Sequence, residues 1–264
     1  MKFFERLVLA ALRRLAPNAS TWFRESAINI AADGEIARLL SKRERNGFVE
    51  IEAAPFAGIR LLTSSRTTGH IAKVLGVYER QVAAALQQAA LADPTLFVNV
   101  GSGDGYYLVA MGRLLPQARL IGFDTSEQAN AEARKVLEAN GLSGRAELRG
   151  HCDTAALSEA LDENTLLLVD CEGYEAELLD PETLPMLRRA TMVVELHEFA
   201  RPGVTDLLHR RFAATHRIDI LDQDQPLPVA SPDLAALPES LVRAIVSERR
   251  PTLMCWMVLV PIQG

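Results

Sequence analysis

The sequence predicts an α/β domain, a mostly parallel sheet covered by helices on both faces, preceded by a mainly helical extension. Three observations predict it. From Thr95 onward, short apolar runs alternate with stretches of helical period, the pattern of parallel strands joined by crossover helices. The first of these runs, Leu96–Val100, leads directly into a turn holding Gly101, Gly103 and Gly105. An acid, Asp124, closes the next run about twenty residues on, where Rossmann-like folds place a ribose-binding carboxylate.

The elements follow in order. Residues 1–93 read as mainly helical, with turns at Pro17-Asn18, Asp33-Gly34 and Asn46-Gly47 and one short strand at 58–63. The apolar positions Ile71, Val74, Leu75, Val82, Leu86 and Ala89 predict one helix over 71–91, ended by Asp93-Pro94. Beyond it, strands are expected at 96–100, 119–123, 146–148, 165–169, 191–197, 217–221 and 252–260. Helices are expected at 106–115, 126–139, 155–161, 174–188, 204–214 and 238–248. Asn140-Gly141 is a helix stop, and Pro181 and Pro185 break the helix over 174–188. The boundary between extension and domain falls at 93/94.

Composition excludes several classes. The 264 residues are 48% hydrophobic and 23% charged, enough to build a core without staples. A net charge of −6 gives no broad attraction for nucleic acid. Cys152, Cys171 and Cys255 have neither disulfide nor metal spacing and suit a reducing, cytoplasmic setting. The N-terminal apolar run is interrupted by Glu5-Arg6 and Arg13-Arg14, too short for a leader and read as an amphipathic helix. No run approaches the ~20 apolar residues of a membrane span.

The turn Gly101-Ser102-Gly103-Asp104-Gly105 lets a ligand approach main-chain N–H groups with no Cβ in the way. Dinucleotide sites use GxGxxG, whose third glycine brings the helix close to a pyrophosphate. Here Tyr106 stands in that place. S-adenosylmethionine has no phosphate and needs no such approach, so the spacing favours it over NAD(P).

Residues 69–261 resemble the class I S-adenosylmethionine-dependent methyltransferases, specifically the FkbM-type group. The resemblance rests on Phe97-Val98-Asn99-Val100-Gly101-Ser102-Gly103-Asp104-Gly105-Tyr106-Tyr107, on Leu168-Val169-Asp170-Cys171-Glu172-Gly173-Tyr174-Glu175 and on Val194-Glu195-Leu196-His197, with a softer match at Gly76-Val77-Tyr78-Glu79. It implies a seven-stranded sheet whose last strand is antiparallel. It implies donor contacts at Gly101, Ser102, Gly103 and Asp104, with Tyr78 and Tyr106 beside them. It also implies ribose contacts at Asp124 and Thr125, an adenine contact at Asp153, and a further contact at Asp170. Many class I enzymes carry an acid where this chain has Asn99, whose amide hydrogen-bonds the methionine moiety without neutralising its ammonium group.

In open α/β sheets ligands bind at the carboxyl ends of the strands. Asp170 ends one strand there; Glu195, His197 and Glu198 end the next. Methyl transfer to a hydroxyl needs in-line alignment and removal of a proton. His197 suits the base, with Asp170 and Glu195 as the other catalytic candidates. A metal alternative uses Asp170, Glu195 and Glu198 as oxygen ligands for Mg²⁺. The bland readings are that Glu172 and Glu175 favour a helix start, that His197 is a structural histidine, and that His209 and His216 lie on the surface. The function read from these residues is O-methylation of a sugar or secondary-metabolite hydroxyl, with the acceptor small and its identity open. The rivals are a non-catalytic binding protein of the same fold and an NAD(P)-dependent oxidoreductase. Nothing in the sequence signals an oligomeric state.

Overall fold

The computed structural model describes residues 19–65, 67, 69–222, 231–249 and 254–262. The amphipathic helix expected at the N-terminus lies outside them. The chain begins with α1 (Ala19–Arg43) and a hairpin of β1 (Phe48–Glu50) and β2 (Arg60–Leu62). It continues through α2 (His70–Val74), α3 (Arg80–Ala90), β3 (Leu96–Val100), α4 (Tyr106–Leu114), β4 (Arg119–Phe123) and α5 (Glu127–Ala139). Then come β5 (Ala146–Arg149), α6 (Thr154–Ala160), β6 (Thr165–Val169), α7 (Glu175–Leu178), β7 (Thr191–Leu196), α8 (Val204–Phe212), β8 (His216–Asp222), α9 (Glu239–Val246) and β9 (Cys255–Pro261).

Seven strands form one sheet in the order β5-β4-β3-β6-β7-β9-β8. All neighbours pair in parallel except β9, which is antiparallel to β7 and β8. Both faces are covered. Phe97, Leu166, Leu168 and Val193 pack with Leu39, Val82, Leu108, Val136 and Ile245 of α1, α3, α4, α5 and α9. Val98, Leu167, Val169 and Val194 pack on the other face with Leu157, Leu178 and Leu208 of α6, α7 and α8. Period-2 alternation sends successive residues to opposite faces, and two-sided burial is why β3 and β6 read as almost unbroken apolar runs. Each wholly buried leucine contributes roughly 1.5–3 kcal/mol. The N-terminal elements share the first of these clusters, so they roof one face of the sheet.

Some expectations change. The helix expected over 71–91 is two helices, because Gly76 (φ +70°) and Glu79 (φ +40°) take left-handed backbone between them. Gly76 is turned against Ala53, 2.7 Å from where a Cβ would sit. The apolar spacing persists across the break, which hid it. The short strand expected at 58–63 is half of a hairpin whose other half, β1, is not among the expected strands. Between Tyr174 and Arg188 only the single turn α7 and a 3₁₀ turn at Pro185–Arg188 form, since the prolines remove donors and crowd the preceding turn. His216 is buried, with Nε2 3.1 Å from the Ala190 carbonyl oxygen, and is not on the surface. Other local signals act as expected: Ser126 Oγ accepts from the Ala129 N–H at 3.2 Å to cap α5, and Gly141 (φ +73°) follows its end.

Candidate active site

The order of strands reverses at β3, whose neighbours are β4 on one side and β6 on the other. At this switch point crossovers leave in opposite directions and a crevice opens. A cavity of ≈ 380 Å³ lies there, lined by Gly101 and Gly103 after β3, Asp124 and Thr125 after β4, Gly150, His151 and Cys152 after β5, and Asp170, Cys171, Glu172 and Tyr174 after β6. A larger cavity of ≈ 1090 Å³ lies at the β1–β2 hairpin and the end of α5. Its charges are largely spent on ion pairs such as Arg43–Glu52 and Arg43–Asp233, and it is remote from the strand ends that carry the chemistry-bearing residues.

The glycine turn is built for close approach. Gly101 (φ +79°) lies so near β6 that a Cβ would stand 1.7 Å from the Asp170 carbonyl oxygen. Gly103 (φ +52°) has open space where its Cβ would be. Asp124 fixes this turn: Oδ2 accepts from the Gly103 N–H at 2.8 Å and Oδ1 from the Ser126 N–H at 2.8 Å. A concave site of this volume, with bare backbone at one end and a carboxylate and a thiol beyond, fits a nucleoside-sized ligand.

Several sequence candidates take other work. Asp104 is 2% exposed, and both its oxygens are held by Ser65, Thr67 and Lys73. Ser102 Oγ faces Gly122 in the sheet–helix interface. Tyr106 packs edge-on against Phe56, Tyr78 and Tyr107, which consumes Tyr78 and Tyr106 in an aromatic cluster away from the cavity lining. Asp153 caps α6 by accepting from the Ala156 N–H at 2.8 Å; Gly150, His151 and Cys152 line that end of the cavity in its place. Asn99 is buried at the end of β3, its Oδ1 without a hydrogen-bond partner among the described residues. Alternation puts it on the same face as Phe97 and α3.

His197 stands after β7, 1% exposed. Its Nδ1 lies 2.7 Å from Glu175 Oε1. Its Nε2 faces Asp170, Glu172 and Glu195, one carboxylate oxygen of each at 3.5 Å. Glu175 is fully buried and also accepts from the Cys171 and Gly173 N–H groups, both at 3.3 Å. An ionised Glu175 obliges Nδ1 to carry the proton and leaves Nε2 to face the cleft. Burial works against the imidazolium. The hydrogen bond and charge of Glu175, with Asp170 and Glu172, outweigh it and raise the His197 pKa above 6.5. Burial likewise works against the Glu175 carboxylate, and His197 outweighs it and lowers its pKa below 4.5. Glu175, expected as a helix-start acid, does this further work; its place in the Asp170–Glu175 signature is the sequence signal for it. Glu172 joins the cluster from a left-handed conformation (φ +56°). Glu198 does not join it: its carboxylate accepts from the Gly203 and Thr205 N–H groups at 2.7 and 2.8 Å, at the start of α8.

No family model matches this chain. A protein-lysine N-methyltransferase of Saccharolobus islandicus (strain REY15A) is 27% identical over 126 residues, 47% of this chain and 75% of that protein. The O-methyltransferase TomG of Streptomyces achromogenes, solved with S-adenosylmethionine, aligns at a TM-score of 0.48 and 14% identity over 74% of this chain and 87% of its own. An O-methyltransferase of Bacillus cereus, solved with S-adenosylhomocysteine, aligns at 0.46 and 11% over 68% and 80%. The strand order, with β9 alone reversed, settles the architecture. The fold is the class I methyltransferase fold. In it the glycine turn after β3 and the acid after β4 share one cavity, while His197 and its carboxylates stand beside β6 and β7. No described helix is long and apolar enough to cross a membrane.

Proposed function

We propose that this chain is an S-adenosylmethionine-dependent methyltransferase acting on a hydroxyl of a small molecule, with His197 as general base. The observation that carries the reading is the pairing of two features at one switch point: a bare glycine turn closed by Asp124, and a buried histidine oriented by Glu175 with Nε2 toward the cleft. The donor, when bound, supplies an electrophilic methyl group on a sulfonium sulfur. Gly101 and Gly103 would hold its amino-acid end, Asp124 and Thr125 the ribose, and Gly150 to Cys152 the adenine. Asp170, between the glycine turn and His197, is placed to orient the acceptor. The FkbM-type resemblance adds the acceptor class, a sugar or secondary-metabolite hydroxyl. Residues 1–93 are read as an extension to this domain, its described elements from Ala19 onward packing on one face of the sheet.

Calorimetry with S-adenosylmethionine, S-adenosylhomocysteine and NAD tests the reading. Binding of the first two and not of NAD is expected. Binding of NAD alone would replace the methyltransferase with an oxidoreductase, and binding of donor without turnover on any hydroxylated acceptor would favour the non-catalytic rival.

One observation supports a second, metal-assisted reading. Ligand atoms of Asp170, Glu172 and His197 lie within 4.8 Å of one another, and Glu175 behind Nδ1 resembles the outer partner of a metal-bound imidazole. This set replaces Asp170, Glu195 and Glu198. An imidazole among carboxylates suits Mn²⁺ or Zn²⁺ better than the Mg²⁺ expected of an all-oxygen set. In that case Asp170, Glu172 and His197 would hold the ion, which would supply Lewis acidity toward the acceptor hydroxyl. Loss of turnover in EDTA, restored by Mn²⁺ or Zn²⁺ more fully than by Mg²⁺, is its expected signature; turnover indifferent to EDTA removes it.

A further inference from the structure

Asp104 sits inside the glycine turn, yet its carboxylate serves the protein. Oδ1 accepts from Lys73 Nζ at 3.2 Å; Oδ2 accepts from Ser65 Oγ and Thr67 Oγ1, both at 2.9 Å. Lys73 also donates to Thr67 Oγ1 at 3.2 Å, and Nζ lies 5.1 Å from the ring centroids of both Tyr78 and Tyr106. Lys73 and Asp104 are 6% and 2% exposed. Burial opposes the ionised carboxyl, but the Lys73 charge and the two hydroxyls hold it below the usual carboxylate range.

A buried ion pair is a poor stabiliser, since apolar residues of the same volume often do as well. Its use is to fix one arrangement. Here that arrangement is the backbone of the turn: Asp124 grips Gly103 from the β4 side, and Lys73 grips Asp104 from α2. We propose that Lys73 is a positioning residue for the donor, setting the Gly101–Gly105 backbone through Asp104. Ser65 and Thr67 complete the grip. The N-terminal extension thereby enters donor affinity without touching the donor. The inference rests on the glycine turn being the donor site.

The test is calorimetry of S-adenosylhomocysteine on the full chain, with thermal unfolding measured in parallel. Lys73→Met is expected to weaken binding by about tenfold or more, because a binding constellation works only while its supporting residues hold it in place. Lys73→Met with Asp104→Leu removes the unpaired charge; it should regain thermal stability and still bind weakly. Leu208→Ala, in the core under α8, should lower the unfolding temperature and leave affinity within twofold. The inference is overturned if Lys73→Met binds within twofold of wild type, if the double variant recovers affinity along with stability, or if Leu208→Ala loses affinity equally. A wild-type chain that binds no S-adenosylhomocysteine overturns the donor reading, and this inference with it.

Discussion

Replacing His197 by alanine is expected to slow methyl transfer by roughly 10²–10⁴-fold while S-adenosylhomocysteine affinity stays within a few fold of wild type. The imidazole does not line the donor cavity, so binding should survive its removal. Its chemistry should not. As the acceptor oxygen bonds to the methyl carbon, the carbon–sulfur bond breaks, its electron pair passes to sulfur, and the hydroxyl proton passes to Nε2. A positioned base of this kind contributes roughly 10²–10⁴-fold. Single-turnover assays on the variant decide the matter, and unchanged turnover removes His197 from the mechanism. The pH profile carries a second signature. Because Glu175, Asp170 and Glu172 raise the His197 pKa above 6.5, kcat/KM should rise with pH through a midpoint on the alkaline side of that value. Glu175→Gln should move the midpoint down. Stability runs the other way. His197, raised in the folded state, stabilises fully below 6.5 and loses its contribution as pH rises through its folded value; Glu175, depressed, stabilises fully above 4.5 and loses its contribution as pH falls. The pair is therefore most stabilising between 4.5 and 6.5, and activity is expected to peak at higher pH than stability.

Gly101→Ala is expected to cost about 2–5 kcal/mol of stability, from left-handed backbone and overpacking together, and to eliminate donor binding. The new Cβ would stand 1.7 Å from the Asp170 carbonyl oxygen and 2.8 Å from its carbon, both main-chain atoms that no rotamer change can move. The ends of β3 and β6 are joined just there, where the Asp170 N–H donates to the Val100 carbonyl at 2.9 Å. Relief requires prying these strands apart at the cavity floor. Gly103→Ala is the internal comparison, since it meets only the backbone strain of φ +52° in open space. Urea unfolding of both variants, with calorimetry on S-adenosylhomocysteine, measures the difference. A midpoint for Gly101→Ala equal to that of Gly103→Ala would show that the close contact relaxes freely.

What could be read in advance was whatever lies in local order along the chain. The almost unbroken apolar runs of β3 and β6, the glycine turn between β3 and α4, the stop at Asn140-Gly141 and the acid at Asp124 each express a constraint satisfied within a few residues. Even the reversed last strand followed once the motifs had suggested the family. Local order also misled: apolar spacing ran unbroken past Gly76, and a potential helix over 174–188 yielded one turn.

The sequence by itself thus determined the sheet, the glycine turn and the strand ends at which a site must form. Tertiary structure alone decided which side chains meet there. Glu175 reaches His197 across 22 residues and Lys73 reaches Asp104 across 31. Asp153 and Glu198 are drawn off to cap helices, and Tyr78 and Tyr106 to fill a core. The physical reason is that a hydrophobic period reports only which face of an element is buried. Whether a buried polar group meets a partner, a cap or a ligand depends on the other elements folded against it.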